Sequence, residues 1–210
     1  MNPPPSSEMA RPDKPTLTDF LRARTRFILE PIVEFLARYR LSPDALTVTG
    51  AVAHVFFAWL IARGHIQWAG LAIMLFAPLD SIDGALARKL GRKQGGFGAF
   101  LDSTLDRLAE VALFAGFIFY YAGQGNDTMV LTTYVALTGS LLVSYSRARA
   151  EALGLSAKIG LLSRVERYVV LVAAMVLSRP SYGLILIAIF TYITVAQRMF
   201  HVWQQSGREK

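Results

Sequence analysis

The sequence predicts an all-α polytopic membrane protein, with six transmembrane helices preceded by an amphipathic juxtamembrane helix. The first observation is composition: 53% of the 210 residues are hydrophobic, and the mean hydropathy is +0.39. The second is that six apolar stretches approach or reach the ~20 residues that cross a ~30 Å hydrocarbon core. The third is that Lys and Arg residues cluster on alternate connections between these stretches. The predicted crossings are residues 44–63, 66–87, 100–123, 128–147, 162–178 and 182–203.

The segments outside the six crossings differ from them in composition. Residues 1–15 are rich in Pro and Ser and lack the apolar core of a signal peptide, so a disordered tail is predicted. Residues 16–40 place apolar side chains at helical spacing with arginines between them, which predicts a helix in the lipid headgroup layer. Packing of this helix on the bundle is compatible with that position. Residues 41–205 form the transmembrane domain, and 206–210 form a short tail.

The distribution of basic residues predicts the orientation in the membrane. Of 22 Lys and Arg residues, seven precede the first crossing, four separate crossings two and three, and five surround the connection between four and five. The opposite side holds two, Arg63 and Arg179. Because cytoplasmic loops carry the basic excess, both termini are predicted to face the cytoplasm at the cell (inner or plasma) membrane. A net charge of +7 is also typical of nucleic-acid binding, but charges that alternate with membrane crossings argue against a nucleic-acid partner.

Two pairs of aspartates stand near the cytoplasmic ends of the second and third crossings. Asp80 and Asp83 are three residues apart, and Asp102 and Asp106 are four apart. Each pair therefore projects from one face of its helix. The Gly-rich connection between the two crossings is short, so the end of one helix should lie beside the start of the next. We expect the four carboxylates to converge just inside the membrane.

Four converging carboxylates need compensating positive charge. A carboxylate at the centre of a spanning helix costs about 2.5–3.5 kcal/mol on insertion scales, and less near the interface. Arg88 and Arg107 neutralise only part of the charge. Because the chain has no cysteine and the cluster offers only oxygen ligands, the predicted cofactor is Mg²⁺, or Mn²⁺ in its place, with two ions. Helix capping or pairing with arginine explains any single aspartate better, but not all four together.

The stretch from 80 to 106 resembles the signature of the CDP-alcohol phosphotransferases, D-x-x-D-G-x-x-A-R, a spacer, and G-x-x-x-D-x-x-x-D. The named positions are filled by Asp80, Asp83, Gly84, Ala87, Arg88, Gly98, Asp102 and Asp106. One departure is the spacer 89–97, whose nine residues are one more than the family pattern has. The six crossings, the juxtamembrane helix and the basic loops agree with the family along the rest of the chain.

The resemblance implies transfer of a phosphatidyl group from CDP-diacylglycerol to an alcohol, with release of CMP. It implies that Asp80, Asp83 and Asp102 hold the metal ions, with Asp106 on or near them. Asp106 would also act as the base that deprotonates the acceptor hydroxyl. The family further implies a homodimer.

The same resemblance assigns the CDP-lipid to neighbouring residues, together with Asp80 and Asp83. Gly84 would let the phosphates approach the helix backbone, and Arg88 would contact the diphosphate. Asp44 and Thr47 look like the family's P-[ND]-x-x-T element at the nucleotide end of the site. A plain helix start explains that segment equally well.

Basic residues after the fourth crossing favour a phosphorylated acceptor, because planar guanidinium groups bind phosphate well. Their arrangement resembles bacterial phosphatidylinositol phosphate synthases, which use inositol 1-phosphate. The matching positions for the acceptor phosphate are Ser144, Arg147, Arg167 and Arg198. Arg147 replaces a lysine of that group, and Ser163 replaces the first Glu of its E-R-x-E-R stretch. Glycerol 3-phosphate, used by phosphatidylglycerophosphate synthases of the same fold, is the alternative, and positive-inside loops explain each basic residue taken singly.

Two other classes of function explain part of the pattern. A cation transporter or channel would use intramembrane carboxylates as ion ligands. It does not explain Gly84, Arg88 and Gly98 at their offsets, and it predicts carboxylates closer to the middle of the membrane. A structural membrane protein without a catalytic site is the third reading, and metal-dependent binding of CDP would count against it.

Overall fold

The computed structural model describes residues 30–77, 80–91 and 96–207, and at positions 80 and 81 only the backbone. This part of the chain is helical and contains no strand, which confirms the all-α class within it. The predicted N-terminal tail, residues 16–29 of the juxtamembrane helix and the last three residues lie outside the described residues. The helices are residues 30–38 (α1), Pro43–Ala62 (α2), Ile66–Phe76 (α3), Asp80–Lys89 (α4), Phe97–Ala122 (α5), Asp127–Ala152 (α6), Arg164–Val176 (α7) and Pro180–Ser206 (α8).

Local sequence explains where several of these helices begin. Helix α2 opens with Pro43, whose missing N–H costs nothing in a first turn, and Asp44 places negative charge there. Helix α6 follows Asn126, whose side-chain oxygen accepts a hydrogen bond from the Met129 N–H at 3.1 Å. Helix α8 again opens with a proline, Pro180.

Three described helices, α2, α6 and α8, are long and apolar enough to cross a membrane, which is typical of a membrane protein. Helix α5 has sufficient length at 26 residues, but it carries the acidic residues Asp102, Asp106 and Glu110. Helix α7 has 13 residues, about 20 Å at 1.5 Å per residue, which is short of the ~30 Å hydrocarbon core.

The structure describes two helices within the predicted second crossing, residues 66–87. Helix α3 ends at Phe76, after 11 residues, and α4 begins at Asp80. Residues 78 and 79, between these two helices, lie outside the described residues. The described helices therefore leave the count of six crossings a prediction.

The packing of the bundle is centred on two helix pairs, α2 with α5 and α6 with α8. Phe57 and Ile61 of α2 join Phe114 and Phe117 of α5 in a buried apolar core. The close approach of α2 and α5 requires a glycine, since a Cβ at Gly116 would lie 2.5 Å from the Ala58 carbonyl oxygen. Small residues at such contacts are typical of helices packed in membranes.

Helix α1 packs on the start of the bundle. Val33 is buried with Ile82 and Leu86 of α4, and the Lys89 Nζ lies 3.0 Å from Glu34 Oε1. Phe35 of the same helix is 60% exposed. The buried face of helix α1 therefore packs against α4. The position of the predicted amphipathic helix in the headgroup layer stays a prediction.

Candidate active site

Helices α2 and α4 meet at a hydrogen bond between two predicted site residues. Thr47 Oγ1 donates to Asp83 Oδ2 at 2.7 Å, and the Gly84 N–H lies 2.5 Å from Asp83 Oδ1. Thr47 also donates to the Pro43 carbonyl one turn earlier, at 3.1 Å. Both carboxylate oxygens of Asp83 are thus held in place, which fixes the carboxylate relative to α2.

Helix α5 adds the second aspartate pair to the same place. Asp83, Asp102 and Asp106 all line one cavity of about 130 Å³, which extends from these carboxylates into the bundle between α2, α5 and α7. The Asp106 Oδ2 contacts Arg164 of α7, and the Arg107 Nη1 lies 3.8 Å from the same oxygen. The Asp106 side chain is only 14% exposed, so two cations balance a carboxylate that has little contact with water.

The donor set has the chemistry that a hard divalent cation requires. The three aspartates offer carboxylate oxygens from two helices around one cavity. Among the described side chains, no group of three or more His, Cys, Asp or Glu is close enough to hold an ion. The side chain of Asp80 is outside the description, and Arg164 is placed against Asp106. Convergence of all four carboxylates on a metal therefore stays a prediction.

Two glycines keep helix backbones accessible at the nucleotide end of the predicted site. A Cβ at Gly84 would meet only Arg88 Nη1, at 3.5 Å, and a Cβ at Gly98 would meet only Asp44 Oδ1, also at 3.5 Å. These are ordinary contact distances, so close helix packing does not require a glycine at either position. The Arg88 guanidinium lies over Gly84 on the same helix, which brings a positive charge to the accessible backbone.

The cavity is also lined by His54, Glu110 and Tyr168, which the sequence did not single out, beside the predicted Arg167. Arg167 Nη2 donates to Glu110 Oε1 at 3.3 Å, and His54 Nε2 lies 3.1 Å from the Tyr168 hydroxyl. All four residues line the cavity that also holds the carboxylates. Glu110 had a signal in the sequence, because it continues the four-residue spacing of Asp102 and Asp106. His54 had none, since its partner Tyr168 is far away in the chain.

The four predicted acceptor residues are not all on this cavity. Arg167 lines it, whereas Ser144, Arg147 and Arg198 do not. Arg198 is buried, and its Nε donates to the Ile159 carbonyl at 2.9 Å while its Nη1 contacts the Val143 carbonyl. Arg147 Nε lies 2.8 Å from Glu151 Oε1. Arg147 and Arg167 are nevertheless within electrostatic range of Arg198, so three guanidinium groups share one region.

The stretch 163–167 contributes more than the single arginine assigned to it. Arg164 contacts Asp106, and Arg167 contacts Glu110, one turn further along both helices. Ser163 occupies the N-cap position of α7, and its hydroxyl donates to the Glu166 carboxylate and not to the helix backbone. Sequence alone gave no means of telling which arginine meets which carboxylate.

Comparisons of sequence and structure relate the chain to known proteins. The sequence profile of the CDP-alcohol phosphatidyltransferases matches residues 40–203. A phosphatidylinositol phosphate synthase of Mycobacteroides abscessus is 39% identical over 192 residues, which cover 86% of this chain and 86% of that protein.

Two crystal structures of the Mycobacterium tuberculosis phosphatidylinositol phosphate synthase are also similar. The structure with CDP-DAG bound has a TM-score of 0.79 at 34% identity and covers 84% of this chain and 94% of that chain. The complex with manganese and citrate has a TM-score of 0.78 at 33% identity and covers 83% of this chain and 88% of that one. The resemblance predicted from the aspartate signature is thereby confirmed. The chain is an enzyme that belongs to the CDP-alcohol phosphatidyltransferase family.

Proposed function

We propose that this enzyme transfers a phosphatidyl group from CDP-diacylglycerol to inositol 1-phosphate and releases CMP. The observation that carries the proposal is the single cavity lined by Asp83, Asp102 and Asp106, with arginines on its other wall. The similarity to phosphatidylinositol phosphate synthases supports the acceptor, and the CDP-DAG complex of the Mycobacterium tuberculosis enzyme supports the donor.

The carboxylates of Asp80, Asp83, Asp102 and Asp106 would hold two divalent cations, Mg²⁺ or Mn²⁺. When bound, such ions neutralise the carboxylates and the diphosphate and make the phosphorus more electrophilic. The manganese complex of the related enzyme supports this cofactor class.

The nucleotide would bind on the side formed by α2 and α4. Asp44 and Thr47 lie on the first turns of α2, next to Gly98 and Asp83 respectively. Together with Asp80, they would contact the cytidine end of the substrate. The accessible backbone at Gly84, with Arg88 beside it, suits the diphosphate.

The reaction forms one P–O bond and breaks another. The acceptor hydroxyl oxygen attacks the phosphorus that carries diacylglycerol, the bond from that phosphorus to the bridging oxygen breaks, and CMP leaves. The hydroxyl proton passes to Asp106. Because Arg164 and Arg107 both contact Oδ2, we assign the proton to Oδ1.

The acceptor phosphate would bind to Ser144, Arg147, Arg167 and Arg198. The electrostatic interaction of Arg198 with both Arg147 and Arg167 supports an anion near Arg198, since a phosphate relieves repulsion between neighbouring cations. Glycerol 3-phosphate is the second candidate, because any phosphorylated alcohol satisfies these charges.

We also propose a homodimer in the cell membrane, with six crossings, cytoplasmic termini and the carboxylates near the cytoplasmic face.

An acceptor screen tests the proposed function. The purified enzyme is supplied with CDP-diacylglycerol and Mg²⁺ and with inositol 1-phosphate, glycerol 3-phosphate, free inositol or serine in turn, and released CMP is measured. We expect turnover with inositol 1-phosphate well above that with the others. Turnover with glycerol 3-phosphate alone would refute the inositol assignment and leave the family chemistry intact.

A further inference from the structure

The loop that joins α6 to α7, residues 153–163, is fastened to α8 by the side chain of Gln205. The Ser156 N–H donates to Gln205 Oε1 at 3.0 Å, and Gln205 Nε2 donates to the Ser156 carbonyl at 2.6 Å. This pairing requires a donor and an acceptor side by side, which the amide of a glutamine side chain provides. The two hydrogen bonds therefore hold the start of the loop on the last turn of α8.

Two further contacts hold the rest of the loop against α8. Arg198 Nε donates to the Ile159 carbonyl at 2.9 Å, and the Leu162 N–H donates to Thr194 Oγ1 at 3.2 Å. Gly160 lies between these two contacts at φ +129°, and a Cβ there would overlap the Thr194 methyl group. Both the backbone conformation and the close approach to α8 therefore require glycine at this position. The contacts are spread over residues 194–205 of α8, about 16 Å of helix.

The fastened loop delivers the start of α7 to the carboxylates of α5. Helix α7 begins at Arg164, two residues after Leu162, and Arg164 contacts the Asp106 carboxylate. The Leu162 carbonyl also accepts a hydrogen bond from Arg167 Nη1 at 3.3 Å. The backbone of Leu162 thus bonds α8 through its N–H and α7 through its carbonyl. The position of both arginines opposite α5 therefore depends on where the loop is held.

Local capping does not fix the start of α7. Ser163 stands at the N-cap position, but its hydroxyl donates to the Glu166 carboxylate and makes no hydrogen bond to the helix backbone. A helix start without that bond frays more readily. The Arg164 side chain is 45% exposed, so its surroundings confine it little. The support for this turn must then come from the loop that precedes it.

We propose that Gln205 is a positioning residue for the phosphatidyl transfer: its hydrogen bonds hold the α6–α7 loop on α8 and thereby keep Arg164 on Oδ2 of Asp106. The inference rests on the proposed function, in which the acceptor proton passes to the other oxygen, Oδ1. A loop that moves away from α8 carries Arg164 with it, and the Asp106 carboxylate then loses a contact that fixes its orientation. Gln205 acts through the loop and is not itself a catalytic residue.

The test measures CMP release by the full-length enzyme at saturating CDP-diacylglycerol and inositol 1-phosphate, well below the thermal midpoint. Gln205→Met keeps the length of the side chain and removes both hydrogen bonds. It should lower kcat about three- to tenfold, the effect of one hydrogen bond on the population of the held loop, with the KM for CDP-diacylglycerol unchanged. Gln204→Met, at the exposed neighbouring position of α8, is the matched control and should retain the wild-type kcat.

A second background separates positioning from a general loss of stability. Arg164→Gln removes the guanidinium that the loop is proposed to hold. If Gln205 acts through Arg164, adding Gln205→Met to Arg164→Gln should lower kcat no further, so the two effects are not additive. An equal fall of kcat in both backgrounds would show a merely structural role and overturn the inference.

Hydrogen–deuterium exchange tests the loop itself without turnover. In Gln205→Met, the amides of residues 155–163 and of the first turn of α7 should exchange faster than in wild type, while those of α2 and α5 keep their protection. Gln204→Met should exchange as wild type does. Unchanged exchange in the loop of Gln205→Met would also overturn the inference.

The outcomes separate this inference from the proposed function. If wild type releases CMP with inositol 1-phosphate and Gln205→Met does so at the wild-type rate, the proposed function stands and the role of Gln205 is wrong. If wild type uses only glycerol 3-phosphate, the proposed acceptor is wrong, and the same comparisons with glycerol 3-phosphate decide the role of Gln205.

Discussion

The proposed donor and acceptor regions of the site are built on different principles. On the donor side, α2, α4 and α5 present Thr47, Asp83 and Asp106 from short motifs, and each side chain faces the cavity. On the acceptor side, α6, α7 and α8 carry arginines far apart in the chain, and some of them bind the protein itself. Arg198 contacts two backbone carbonyls, and Arg147 pairs with Glu151.

This difference teaches that spacing within one helix is a stronger guide to a site than the type of residue. Aspartates at offsets of three and four must share a helix face. An arginine has no such constraint, because its long side chain reaches carbonyls, carboxylates and ligands equally well. We therefore expect changes on the donor side to lower activity or substrate affinity, and changes of the acceptor-side arginines to affect stability in some cases and substrate affinity in others.

The largest effect should come from removing divalent cations, which acts on the donor side alone. Dialysis against EDTA should abolish CMP release, and Mg²⁺ or Mn²⁺ should restore it, because the carboxylates would otherwise repel the diphosphate. Restoration is measured as CMP released per enzyme. Full activity in metal-free buffer would break the proposed role of the aspartates.

Asp106→Asn should lower kcat by about 10²–10⁴-fold, the usual contribution of a general base. The amide preserves the shape of the side chain but cannot take the acceptor proton. Asp127→Asn, in the exposed first turn of α6 at the other end of the bundle, is the control and should retain wild-type turnover. If the two variants were equally active, Asp106 would not be the base.

Two glycine variants should separate donor binding from helix packing. Gly84→Ala should raise the KM for CDP-diacylglycerol on the order of tenfold without loss of stability, because its Cβ meets only Arg88. Gly116→Ala should instead destabilise the fold by about 1–3 kcal/mol, since its Cβ would clash with Ala58. Thermal unfolding measures the stability of both variants, and titration with CDP-diacylglycerol measures their KM. A loss of stability in Gly84→Ala would contradict the proposed role of Gly84 in donor binding.

The smallest effects should distinguish two arginines of the acceptor side. Arg198→Ala should destabilise the protein, because the buried carbonyl of Val143 loses a charged donor, at about 1–3 kcal/mol for an unsatisfied buried group. Arg147→Ala should leave the thermal midpoint unchanged, since an exposed ion pair contributes about 0–1 kcal/mol. We expect it to raise the KM for inositol 1-phosphate severalfold. An unchanged KM would remove Arg147 from the acceptor pocket.

The aspartate signature was sufficient to predict the family, and the apolar stretches were sufficient to predict the all-α class of the described residues. Thr47 and Asp83 were assigned to the same site from motifs 36 residues apart, and the structure joins them by a hydrogen bond. The continuity of the predicted second crossing from α3 into α4 stays a prediction, because residues 78 and 79 lie outside the described residues. The tail and most of the juxtamembrane helix lie outside the described residues and remain predictions.

The sequence by itself determined which carboxylates lie together on each helix, because spacings of three and four residues place side chains on the same helix face. Only the tertiary structure decided that Arg164 meets Asp106, that Arg167 meets Glu110 and that His54 meets Tyr168. Those contacts join helices far apart in the chain, and they depend on how α5 and α7 pack side by side around the cavity. No pattern along one helix contains that information.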